Sequence, residues 1–131
     1  MIEDQDAMVP LGFLCRHIGY DETFGIEPQI PVIICGLALE PSCSEMFFSA
    51  KVCREDGGDI VLVDSHLASF YRAGPRADGL PPHVLLPRKV FVGKGQLISI
   101  TVTCEPALGR RMAALEGYFV GWPTRDGVVT L

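Results

Sequence analysis

Hydrophobic and polar positions in this chain alternate with a period of two, in short runs separated by glycine and proline. The clearest run is "QLISITVTC" (96–104), which puts Ile98, Ile100, Val102 and Cys104 on one side and Ser99, Thr101 and Thr103 on the other. "MFFSAKVCRE" (46–55) repeats the pattern, with Met46, Phe48, Ala50 and Val52 opposed to Phe47, Ser49, Lys51 and Cys53. "IPVIICGLALE" (30–40) is a continuous apolar run with β-branched Val32, Ile33 and Ile34, and Pro31 is tolerable near its start. "IVLVDSHLASFYR" (60–72) reads as one strand bent at Asp64–Ser65, or as two strands. "HVLLPRKVFV" (83–92) carries Pro87 inside it, which predicts an edge strand or a bulge.

The run "RRMAALEGYFVGW" (110–122) is apolar on both sides. Ala113, Leu115, Gly117 and Phe119 share one face, and Met112, Ala114, Glu116, Tyr118 and Val120 share the other. That fits a central strand covered twice or a strand facing a partner, and the expectation is that another chain or the N-terminal segment covers its second face. Between the runs, "DGGD" (56–59) and "GKG" (93–95) are turn signals that supply positive φ cheaply. "AGPRADGLPP" (73–82) is the longest loop, and its three prolines and two glycines exclude a helix there. No amphipathic helical stretch stands out. Roughly eight strands at this spacing predict an all-β fold, a two-sheet antiparallel sandwich or jelly roll.

Residues 1–29 break the pattern, mixing acids, glycines and isolated apolar residues without a sustained period. They are expected to form an extended N-terminal arm that docks on a neighbouring chain or folds back to cap its own sandwich, with the β-sandwich over 30–124 and a C-terminal tail over 125–131. On that division, deleting residues 1–24 leaves a folded sandwich.

The length of 131 residues suits one domain, and 48% hydrophobic with 21% charged residues places it among globular chains. A net charge of −5 argues against nucleic acid as a partner; the short basic pairs Arg110–Arg111 and Arg88–Lys89 read as solvated strand ends. No apolar run reaches the ~20 residues of a membrane span. The start, "MIEDQDAMVP", is acidic where a signal peptide is basic, so the expectation is an unsecreted, soluble protein. Five cysteines at irregular spacing read as free thiols, with Cys35, Cys53 and Cys104 set inside apolar runs.

Candidate chemistry is sparse. His17, His66 and His83 are isolated, and a cupin-like convergence of His66, His83 and Glu116 lacks the tight histidine pair such a site uses. Asp64, Ser65 and His66 are strand neighbours that point to opposite faces and cannot form a triad together. "GKGQ" (93–96) lacks the spacing of a phosphate-binding loop, and Glu55, Asp56 and Asp59 surround a hairpin tip. Glu116 is either a carboxylate with a raised pKa or the ion-pair partner of a residue such as Arg111. The expectation is a non-enzyme with no catalytic residue, no cofactor and no metal.

The C-terminal half carries a resemblance. A strand ends near Pro87 to Phe91, and a glycine-rich turn runs from Gly93 to Gly95. An alternating strand follows from Leu97 to Thr103, and after a loop comes Leu115-Glu116-Gly117-Tyr118. This pattern, over residues 83–122, resembles the last strands of small jelly-roll proteins found on tailed-bacteriophage particles. The resemblance implies a capsid decoration (cement) protein that binds the major capsid protein on the outer surface of the virion. It would be made in the bacterial host cytoplasm and self-associate as a homodimer, with a trimer as the other arrangement. The interface residues expected on that basis are Phe13, Leu14, Tyr20, Phe24, Tyr118, Trp122, Val128, Val129 and Leu131. The alternative is a tail-fibre or carbohydrate-binding module, for which Tyr71, Tyr118 and Trp122 are the aromatic platform candidates.

Overall fold

The structure is a computed structural model that describes residues 8–43, 45–54, 56–75, 80–104 and 113–124. Eight strands form: β1 (Val9–Ile18), β2 (Asp21–Ile26), β3 (Val32–Pro41), β4 (Met46–Cys53), β5 (Ile60–Leu67), β6 (Val84–Val92), β7 (Leu97–Cys104) and β8 (Ala113–Pro123). A 3-10 turn, Ala68–Tyr71, follows β5. The turns form where glycine permits them. Gly57 (φ 83°) closes the β4–β5 hairpin and Gly95 (φ 88°) the β6–β7 turn, where the Gln96 side chain accepts a bond from the Gly93 amide at 2.7 Å.

Two four-stranded antiparallel sheets result, in the orders β1-β8-β3-β6 and β2-β7-β4-β5, packed into a sandwich. The pairing is nested: β1 with β8, β2 with β7, β3 with β6 and β4 with β5. The chain therefore runs as one long hairpin doubled back on itself, and the β3–β8 and β4–β7 ladders join its turns within each sheet.

The period-two reading holds in the core. Met46, Phe48, Ala50 and Val52 of β4 are buried, as are Ile98, Ile100, Val102 and Cys104 of β7. Across the sandwich, Ala113, Leu115 and Phe119 of β8 meet them, with Val32, Ile34, Leu37 and Leu39 of β3. β6 is an edge strand. Ile34 pairs with Val90 while Gly36 pairs with Leu85, so residues 86–89, Pro87 included, bulge out of register. The bend expected at Asp64–Ser65 is a kink in β5 with Ser65 at φ 33°.

The expected arm over 1–29 is corrected by the structure, because residues 9–26 are sandwich strands. β1 pairs with β8 from Val9↔Gly121 to Ile18↔Ala113, and β2 pairs with β7 from Asp21↔Thr103 to Ile26↔Ile98. Phe13 and Phe24 turn inward and join Phe48 and Phe119 in an aromatic cluster, with ring centroids 5.7–6.0 Å from Phe13. A bulge between Cys15 and Ile18, with His17 at φ 63°, shifts the parity so that Ile18 faces the core. The sandwich thus begins at β1, not at residue 30. The tail over 125–131 lies outside the described residues.

Candidate functional site at the seam between β5 and β6

A sandwich has two seams where its sheets end. Here β1 and β2 flank one seam, while the edge strands β5 and β6 flank the other. At the second seam a cleft of about 500 Å³ opens, lined by Arg54, Ile60, Arg88, Lys89, Val90, Phe91 and Gln96. The β6 bulge brings the cations there. Pro87 donates no ladder bond, so the edge strand leaves register around it and aims Arg88 and Lys89 toward the seam.

Arg88 Nη2 donates across the seam to the Val61 carbonyl at 3.4 Å, and Lys89 Nζ stands 5.0 Å from the centroid of the Trp122 ring, a cation–π distance. Arg54 pairs with Asp56 at 3.2 Å, and Lys51 pairs with Asp59 at 3.1 Å across the hairpin. Among the described residues, Arg88 and Lys89 have no carboxylate within ion-pair distance. The cleft lining therefore combines the cations Arg54, Arg88 and Lys89 with the apolar residues Ile60, Val90 and Phe91. Low-dielectric walls strengthen the field of such cations toward an anionic group. Among the described residues, the lining side chains are three cations, one amide and three apolar groups.

The sequence-derived interface residues do not converge. Phe13 and Phe24 pack against the core, and Leu14 and Tyr20 are exposed near the β1–β2 seam. Trp122 lies beneath the Lys89 ammonium. Val128, Val129 and Leu131 lie outside the described residues. Tyr118 donates its hydroxyl to the Pro82 carbonyl, and burial raises its pKa above the usual tyrosine value. Tyr71 is buried in the core and its pKa is raised for the same reason.

That Tyr118 bond corrects a further expectation. The second face of β8 is covered in part by the chain itself: His83 is buried beside Gly36 and Val120, with its Nδ1 donating to the Pro81 carbonyl at 2.6 Å. His66 stacks on Phe70 at 4.5 Å, and Glu116 is exposed opposite Leu14 and Glu40 in the ladders. Among the described residues, no group of three or more His, Cys, Asp or Glu is placed to hold a metal ion. No helix among them is long and apolar enough to cross a membrane.

The Arg88–Lys89 pair was visible in the sequence as a basic doublet. Its adjacency to Arg54 and Ile60 had no local signal, since β5 and β6 meet only through the packing of the sheets. Comparison with protein-family models, with curated proteins and with solved structures finds no match to the chain.

Proposed function

We propose that this chain is a non-enzymatic structural virion protein: a jelly roll that decorates the outer surface of a tailed-phage capsid and cements neighbouring major capsid subunits. The observation that carries the reading is the nested pairing of eight strands in two sheets. Double-sheet jelly rolls of two Greek keys recur in viral capsid proteins, in lectins and in cupins. The resemblance over residues 83–122 supports the capsid branch of that group, and its described parts coincide with β6, β7 and β8.

A cement protein acts by binding. The seam cleft supports a contact in which an acidic, partly apolar segment of a shell subunit places carboxylates on Arg88 and Lys89 and apolar side chains on Val90 and Phe91. Repeated over many copies, such contacts stabilise a shell by avidity. The carbohydrate-binding alternative draws less support. Tyr71 is buried, the Tyr118 hydroxyl is engaged and Lys89 lies over the Trp122 ring, which leaves none of the three as an open platform.

Quantitative mass spectrometry of purified particles tests the reading. A copy number near that of the shell subunit is the expected result, and the double variant Arg88→Glu, Lys89→Glu should bind stripped particles at least tenfold more weakly. A copy number typical of a tail component would replace the cement role with a fibre module. Absence from particles would overturn the virion reading altogether.

A further inference from the structure

Two of the five cysteines, 61 positions apart, come together. Cys43 lies in the β3–β4 connection and Cys104 ends β7, and their Sγ atoms are 3.1 Å apart. Both backbones are held. The Cys104 amide donates to the Tyr20 carbonyl at 2.7 Å, and Cys104 stands opposite Met46 in the β4–β7 ladder. Next to Cys43, the Ser42 amide donates to the Ala114 carbonyl at 2.9 Å, and Ser42 Oγ accepts from the Ala114 amide at 2.8 Å. The proximity is therefore a product of fixed ladder geometry. A disulfide needs its sulfurs at about 2.05 Å, so closure asks for an approach of about 1 Å.

We infer that Cys43 and Cys104 are a disulfide-forming pair that closes when the protein meets a thiol oxidant of the small-disulfide class. Cys43 is half-buried and Cys104 buried, which assigns the order of events. The Cys43 thiolate attacks one sulfur of oxidised glutathione and expels a glutathione thiolate. The Cys104 thiol then loses its proton to solvent and attacks the Cys43 sulfur of the mixed disulfide, expelling the second glutathione. Two protein thiols are oxidised, one glutathione disulfide is reduced to two thiols, and the two protons end on the glutathione thiolates. In a reducing cytoplasm the pair stays open, and in an oxidising medium it closes. The bond would tie the β3–β4 connection, already strapped to β8 through Ser42, to the end of β7 as well. This inference does not depend on the proposed function.

The test uses the full chain incubated with oxidised glutathione or with dithiothreitol, alkylated without reduction and mapped by mass spectrometry. The expected map shows one linked peptide pair, Cys43–Cys104, with Cys15, Cys35 and Cys53 alkylated once the chain is unfolded. The oxidised protein should melt several degrees higher than the reduced one. That difference should vanish in Cys43→Ser and persist in Cys53→Ser. Five alkylatable thiols after oxidation, a lasting glutathione adduct on Cys43, or linkage of any other pair would overturn the inference.

Discussion

Glycine at position 121 is the most sharply constrained residue of the central strand pair. β8 and β3 are inner strands of their sheet, and Gly121 faces Ile34 in their ladder. A methyl group built on Gly121 would collide with the Ile33 carbonyl oxygen, and would lie 2.8 Å from Ile33 C and 3.0 Å from Ile34 Cα. All three are backbone atoms, so no side chain can rotate away. Gly121→Ala must open the strand pair by about 1 Å against a normal spacing of about 4.8 Å. Such overpacking costs about 1–3 kcal/mol. Stretching one or two ladder bonds in a buried sheet adds about 1 kcal/mol each. A loss of about 2–5 kcal/mol follows, a large part of the total of about 5–15 kcal/mol of a small domain. At about 3–5 °C per kcal/mol for this size, the melting temperature falls by about 6–25 °C.

Gly12→Ala is the internal control. Its nearest non-neighbouring atom is the Gly117 carbonyl oxygen at 4.0 Å, so the methyl fits on β1. Reduced freedom of the unfolded chain then stabilises the protein by about 0.4–1 kcal/mol. Thermal unfolding followed by circular dichroism on both variants, at one concentration and pH, separates the effects. A Gly121→Ala melt within about 2 °C of the parent, or equal damage from both substitutions, would refute the close-approach argument.

Deletion of residues 1–24 should abolish cooperative unfolding, since it removes β1, most of β2, and two of the four clustered phenylalanine rings; a truncated protein that keeps a sharp transition would mean these strands are dispensable. Alkaline pH should destabilise the protein. Tyr71 and Tyr118 both have pKa values raised by burial above 10.0, so the folded chain keeps protons that the unfolded chain releases. Their stabilisation is complete below about pH 10 and is lost as the pH rises through the raised folded values. Tyr118→Phe should lower the neutral plateau by about 1 kcal/mol, through the missing bond to Pro82, and flatten the alkaline slope; an unchanged slope in melts between about pH 8 and pH 11 would refute the assignment.

Much of the sandwich is local information. β4 and β7, each with four buried apolar residues at strict alternation, announce themselves, because a half-buried strand and a period of two are the same physical fact. The β4–β5 and β6–β7 turns follow from glycines at positive φ, and the edge position of β6 follows from Pro87, which cannot donate to a ladder. β1 and β2 escaped notice for equally physical reasons. In β1 the inward set of Val9, Leu11, Phe13 and Cys15 is interrupted by an outward Leu14 and ends at a bulge that reverses the parity before Ile18. In β2 the inward apolar residues are Phe24 and Ile26, too few to define a period.

The candidate site divides along the same line. The basic doublet Arg88–Lys89 is plain in the sequence, but its meaning changes once the β6 bulge sets it over Phe91 and beside Trp122 and Arg54. The self-made cover of Pro81–His83 over β8 and the 3.1 Å approach of Cys43 to Cys104 join residues that are far apart in the chain. The sequence by itself determined which residues face inward on the strongly alternating strands and where the chain turns, because both depend on a few neighbouring residues. Only the tertiary structure decided which edges meet, what covers each face and which side chains share a cleft, because those depend on how two sheets, paired across the whole chain, come to rest on one another.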